Sequence, residues 1–321
     1  MDIGLGTRTW RCFRLLLLPC CRRSVTVPKK VEAYHREGPI VTVKAIGLIA
    51  AMPEEIKPLL RRVGKVTKRR FGSFRGYHFK RGGKEIFIIE SGIGAAKAKE
   101  ATRILIEAAT PGVILNFGFG GAALPGPTVG DIVAAERVFA FENGQFREQA
   151  GLVSGLTANV AVTLEQQRRR GCFCFHCGTF ITTGEVVGKS ALAQLLPVTT
   201  TNPVLEMETA AVAQVAYELN ISVAAVRAIS DGADENLDFS IADFTDKEMR
   251  ISIRKIFWAL ARKPRILPQL LRLGKNCRLA GDNLAVAVIA FIDGMSLPPL
   301  DPPSRIHAFS EHQSLAAADH G

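Results

Sequence analysis

The run LEMETAAVAQVAYELNISVAAVRAISDGAD, residues 205–234, decides the fold. Its first half, LEMETAAVAQVAYELN, reads as a helix of small and straight-chain residues. Its second half, SVAAVRAISD, is an apolar run of strand length, the mark of a strand buried on both faces. The same alternation appears upstream. VTVKAIGLIAAM (41–52) reads as a buried first strand, and PEEIKPLLRRV then opens a helix, with Pro53 in the first turn and Glu54 and Glu55 at its positive end. FRGYHFKRGGKEIFIIESG holds two strands joined at Arg81-Gly82-Gly83, a hairpin signal. GIGAAKAKEATRILIEAA predicts a helix after a glycine turn, GVILNFGFGGAA a buried strand running into a Gly-rich loop, and VGDIVAAERVFAF a further strand. Residues 181–187 read as a strand and SALAQLLP as a short helix, whereas 145–180 carries no clear period. Apolar strands that feed helices predict one α/β domain over 41–260, a three-layer α/β/α arrangement with a central mixed sheet.

The 321-residue chain is 47% hydrophobic and carries a formal net charge of +11. It is long enough to bury a sizeable core and too apolar to be disordered overall. No run of about 20 apolar residues is available to span a bilayer. The charge is concentrated at the flanks. Residues 1–37 hold eight Lys/Arg against three acids, and 247–278 hold ten against Glu248, while 38–246 are nearly neutral. The N-terminal apolar stretch, broken by Pro19, is short for a signal peptide, so residues 1–40 are expected to be a disordered leader. Residues 261–292 read as a basic amphipathic helical extension broken near Pro264 and Pro268, either packed on the domain with a solvated basic face or lying on an anionic membrane through 250–292. Residues 293–321, rich in Pro and small residues, read as a disordered tail. Basic flanks permit nucleic-acid binding electrostatically, but no recognition module accompanies them.

Seven scattered cysteines do not form a disulfide framework and fit a reducing, cytoplasmic compartment. Cys172, Cys174, His176 and Cys177 cluster in GCFCFHCG, but a zinc site there lacks a second separated ligand pair, so no metal is expected.

In open α/β sheets ligands collect at the carboxyl ends of strands. Glu54 and Glu55 follow the first strand, Ser91-Gly92-Ile93-Gly94 follows IFIIE, Gly118, Gly120 and Gly121 follow VILNF, and Asp231 follows AAVRAIS. Glu206, Met207 and Glu208 open the helix before that last strand. Each has a plain structural reading as a helix cap or tight turn, and the glycines match neither a dinucleotide nor a P-loop fingerprint. Spacing alone points to an α/β enzyme acting on a small molecule, with no substrate named.

Four segments, taken in order, are more specific. IGLIAAMPEEI, ESGIGAAKA, NFGFGGAA with VGDIV behind it, and LEMETAAVAQVA followed by VRAISDGAD resemble the nucleoside phosphorylase superfamily. The resemblance is to its nucleosidase branch acting on methylthioadenosine and S-adenosylhomocysteine, and it covers residues 43–245. It implies hydrolysis of the N-glycosidic bond of a 5′-substituted adenosine, with no cofactor and water as nucleophile. Asp231 is then the acid that protonates the departing purine, and Glu55 the base that activates water. Such an acid works best with a raised pKa, which partial burial can supply. Glu208 binds the ribose hydroxyls, Met207 packs on the sugar, Ser91 and Arg227 are supporting polar positions, with Arg227 orienting Glu208 or Asp231, and Gly120 lines the pocket. Main-chain groups around Val187 hold the adenine edge. A homodimer is also implied.

This chain departs from the family at 183–187, TGEVV, where an SGDxF-like segment is usual and Val187 takes the place of the stacking aromatic. Its basic C-terminal segment resembles hopanoid-associated phosphorylase-like proteins. That similarity leaves an alternative of phosphorolytic adenine release from a lipid-linked adenosine, with phosphate held by Arg or backbone donors. A non-catalytic ligand-binding member is a third reading, against which stand the intact Glu55, Glu208 and Asp231.

Overall fold

A computed structural model describes residues 43–152, 154–184, 189–233, 235 and 266–295. The strands are β1 (Ala45–Ala50), β2 (Thr67–Phe71), β3 (Phe74–Arg81), β4 (Lys84–Glu90), β5 (Val113–Ala122), β6 (Ile132–Glu142), β7 (Gln145–Glu148), β8 (Phe175–Thr183), β9 (Val204–Glu206) and β10 (Ser222–Asp231). The helices are α1 (Pro53–Leu60), α2 (Ala95–Ala109), α3 (Ser154–Arg169), α4 (Lys189–Ala193), α5 (Thr209–Glu218) and α6 (Leu267–Gly294).

The strands form one mixed sheet. β1 runs parallel to β4 and β5, and β5 parallel to β10, while β2, β3 and β4 make an antiparallel meander. The β3–β4 hairpin turns at Gly82-Gly83, with Arg81 opposite Lys84, as the sequence predicts. β10 pairs with β6, β6 with β8, β8 with β9, and β9 with β5. With the β5–β10 pairing, these five strands close into a ring at one end of the sheet.

Alternation along each buried strand builds the layers, because successive side chains point to opposite faces. Ile46, Leu48 and Ala50 of β1, Val113, Leu115 and Phe117 of β5, and Ala224, Val226 and Ala228 of β10 join one core with Ile56 and Leu59 of α1 and Leu156, Val160 and Leu164 of α3. Ile49, Ile114 and Val223 face the other way, onto Ala101 and Leu105 of α2 and Val212 and Ala216 of α5. The three-layer α/β/α arrangement follows directly.

Three expectations change. LEMETAAVAQVAYELN is not all helix: Val204–Glu206 pairs as a short strand with β5 and β8, and the helix begins at Thr209. The region without a clear period contains α3, whose apolar stripe of Leu156, Val160, Ala161 and Leu164 is diluted by polar neighbours. The strand expected over 181–187 ends at Thr183, and its last residues lie outside the described ones.

The C-terminal segment contributes to the central core. Ala280, Leu284, Ala285, Val288, Phe291 and Ile292 of α6 share a cluster with Ile56, Leu59 and Phe117. Its end is fastened to the hairpin: Arg81 donates twice to the Asp293 carboxylate at 2.6 and 2.7 Å, and the buried Lys84 donates to the Met295 carbonyl at 2.6 Å. Replacing Phe291 by Ala is expected to cost about 3–5 kcal/mol, the usual loss for a buried aromatic. An unchanged denaturant midpoint would show that α6 is only appended. No helix among the described residues is long and apolar enough to cross a membrane.

Candidate active site

Glu55 is held tightly at the carboxyl ends of the central strands. It lies in the first turn of α1 and is 3% exposed. One carboxylate oxygen accepts the Met52 N–H at 2.8 Å, and the other accepts the Phe119 N–H from β5, also at 2.8 Å. Burial pushes its pKa up to about 7, against the pull of those two N–H groups and of the Arg227 charge. That is the range a general base needs at neutral pH. The approach to β5 requires Gly118, because a Cβ there would stand 2.6 Å from Oε1 of Glu55. Gly118→Ala is therefore expected to push Glu55 off the Phe119 N–H and lower kcat about a hundredfold, the scale of a 1 Å misplacement. A circular dichroism melt close to that of the parent would confirm that the loss is local.

Glu208 precedes α5 and is 8% exposed. Its Oε1 accepts the Gly94 N–H at 2.9 Å, which ties the SGIG turn to the EMET segment. Burial, the neighbouring Glu206 charge and, more weakly, Glu55 raise its pKa to about 8, although Arg227 opposes them. Near neutral pH this carboxyl group can both donate and accept, which suits a vicinal diol. Met207 beside it is half-buried, and the buried Ser91 donates to the Gly92 carbonyl at 2.9 Å.

Asp231 ends β10. Ser230 Oγ donates to its Oδ1 at 2.7 Å, and the Lys189 ammonium, from the start of α4, pairs with its Oδ2. α6 crosses the same region. Burial, with the charges of Asp231, Glu55 and Glu54, pushes the Cys277 thiol up to about 12. Gly281 of α6 passes close to Pro58 and Phe119.

Two predicted site residues are set firmly among protein groups. Arg227 is 1% exposed and its guanidinium is spent on protein groups: Nη2 donates to Glu206 at 2.5 Å, Asn116 at 2.7 Å and Thr209 at 2.8 Å, and lies 3.8 Å from Glu208. It pairs with Glu206 and, of the two acids expected for it, reaches Glu208. Gly120 serves packing, since a Cβ there would meet Val204 Cγ1 at 2.5 Å. Val187 lies outside the described residues.

Sequence reasoning noted Glu206 but gave it no role. Its carboxylate accepts from Arg227, from the Glu208 and Thr209 N–H groups at 3.0 and 2.8 Å, and from the Thr209 and Thr182 hydroxyls. The signal was available: an Arg inside a strand buried on both faces demands a buried acid. Lys189 and Cys277 were missed. The cysteine-rich segment forms no metal centre among the described residues. His176 instead pairs with Asp131 at 3.1 Å, and burial pushes the Cys177 thiol up to about 12.

A three-layer α/β/α fold with buried acids at the ends of its strands and starts of its helices defines a class before it defines a protein. The phosphorylase superfamily model matches residues 45–262, and the chain belongs to that superfamily. Within it the similarity runs to the nucleosidases. The 5′-methylthioadenosine/S-adenosylhomocysteine nucleosidase of Haemophilus influenzae (strain 86-028NP) is 30% identical over 214 residues, which are 62% of this chain and 90% of that one. Among solved structures, the same nucleosidase from S. pneumoniae with a transition-state inhibitor shares the fold at a TM-score of 0.59 and 22% identity, over 78% of this chain and 100% of that chain. Futalosine hydrolase of Helicobacter pylori shares it at a TM-score of 0.58 and 20% identity, over 78% and 98%.

Proposed function

We propose that this chain hydrolyses the N-glycosidic bond of a 5′-substituted adenosine, of the methylthioadenosine or S-adenosylhomocysteine type, releasing adenine. The buried Glu55 carboxylate, held by two backbone N–H groups with a pKa of about 7, carries the reading. Glu55 takes a proton from water as the water oxygen bonds to C1′. The C1′–N9 bond breaks with its electron pair going to the purine, and N7 takes a proton from Asp231. Glu208 holds the ribose hydroxyls, and Met207 packs on the sugar.

Water is favoured over phosphate by where the arginines nearest Glu55 in sequence lie. Arg61 and Arg62, the nearest candidates in sequence for a phosphate site, are exposed at the end of α1, and Arg62 reaches Asp282 at 3.3 Å. Adenine release should be unchanged by added phosphate and should leave a free sugar at C1′. A sugar 1-phosphate product would overturn hydrolysis. Asp231→Asn is expected to lower kcat about a hundredfold on methylthioadenosine, within the usual range for a lost general acid; unchanged turnover would remove Asp231 from that role.

Peripheral contact with an anionic membrane is a further part of this reading. Leu267, Leu271 and Leu279 are exposed on the first half of α6, in the segment that carries Arg272, Lys275 and Arg278. Sedimentation with anionic vesicles that is lost at high salt supports it, and equal sedimentation with neutral vesicles opposes it. A homodimer, expected from the family resemblance, is read by analytical ultracentrifugation.

A further inference from the structure

We propose that Lys189 is a positioning residue for the acid of the reaction, holding the Asp231 carboxyl group and stabilising the carboxylate left when its proton passes to the purine. This rests on the reading of Asp231 as that acid.

An ammonium group has three N–H donors, and three acceptors meet that of Lys189. One is Oδ2 of Asp231, the second is the Gly232 carbonyl at 2.6 Å, and the third is the Asp231 carbonyl at 3.3 Å. Lys189 therefore fastens both the carboxyl group and the backbone turn that leaves β10. Ser230 takes the other carboxyl oxygen, so each oxygen of Asp231 has a partner. The two side chains are 12% and 16% exposed, so solvent screens the pair only in part. The Gly-rich end of β5 makes room for it: a Cβ on Gly121 would stand 2.6 Å from Oδ2 of Asp231 and 3.1 Å from Cε of Lys189.

The other groups near Asp231 carry no second cation onto its carboxyl oxygens among the described residues. From α6, Cys277 lies close enough to feel the Asp231 charge, and Asn276 and Arg272 reach Glu235 at 3.5 and 3.2 Å. Glu235 in turn accepts the Gly232 N–H at 3.3 Å. Proton transfer from Asp231 to N7 turns a neutral carboxyl group into an anion, and a cation in contact with it favours that product. Lys189 thus acts on the step through Asp231.

The test uses the full chain with methylthioadenosine and reads adenine release across pH. Lys189→Met is expected to lower kcat about ten- to a hundredfold, in line with a weakened general acid, with KM changed less than about threefold. Lys189→Arg keeps the charge and should restore most of kcat. If Lys189→Met does not fold, Lys189→Gln, uncharged but still a donor to the carbonyls, takes its place. Wild-type kcat in the uncharged variant, or a loss that Lys189→Arg leaves unrepaired, would overturn the proposal. A wild-type chain that releases no adenine sinks the nucleosidase reading instead. The pairing is then read separately by a double-mutant cycle of melting temperature between Lys189→Met and Asp231→Asn, where additivity would show that the two side chains do not interact.

Discussion

Glu55→Gln is expected to lower kcat at least a thousandfold, the upper half of the range for a lost general base. The size follows from two effects of one change. The amide cannot take a proton from water. It also carries an NH2 group where the carboxylate presents two acceptors, and those acceptors serve the N–H groups of Met52 and Phe119. One buried N–H is left facing a donor, at a cost of about 1–3 kcal/mol in stability. Adenine release and a denaturation curve measured on one preparation separate the two losses. The wild-type pH profile checks the same assignment. Glu55 must be ionised to act, and its pKa is raised by burial to about 7. Activity should therefore fall about tenfold per pH unit below 7 and level off above it until the acid side of the reaction is lost. An acid limb centred near the ordinary carboxylate range would place the base elsewhere.

Glu206→Leu is expected to cost about 3–5 kcal/mol of stability, the penalty for leaving a buried charge without its partner. Arg227 is 1% exposed, and the Glu206 side chain is fully buried against it. Removing the carboxylate also strands two N–H groups at the start of α5 and two threonine hydroxyls. Against a total stability of about 5–15 kcal/mol, that loss is a large fraction. Chemical denaturation measures it, and a midpoint shift worth under about 1 kcal/mol would show that the network relaxes around the substitution. Glu206→Gln keeps the shape and part of the hydrogen bonding, so it should fold. By removing the charge that raises the Glu208 pKa, it should move any Glu208-dependent limb to lower pH.

The sheet was legible because burial on both faces needs uninterrupted apolar strands, and SVAAVRAISD, VILNF and AIGLIA are such runs. α3 was not legible because Ala and Val carry its buried stripe amid Thr, Asn, Gln and Arg, so its period is faint. β9 was hidden because three residues carry no period at all, and only the partners on β5 and β8 make them a strand. The C-terminal basic stretch was ambiguous for a different cause. Amphipathicity states that a helix has an apolar face, not what covers it. Here α1 and β5 cover the half from Ala280 onward.

The site divides along the same line. Local signals marked Glu55, Glu208 and Asp231, because each follows a strand or precedes a helix within a recognisable segment, and that much the sequence by itself determined. Their states were beyond it. Glu55 reaches a pKa of about 7 only because the closing layers bury it against β5, 64 residues along the chain. Arg227 reads in sequence as a support for Glu208 or Asp231, but only the fold sets Glu206, Asn116 and Thr209 around it. Lys189 carried no signal, since its meeting with Asp231 spans 42 residues. A sequence specifies which groups are present and the local geometry that short-range propensity dictates. Desolvation and charge pairing depend on what the chain brings from afar, so only the tertiary structure decided which acids are buried and which cation each one meets.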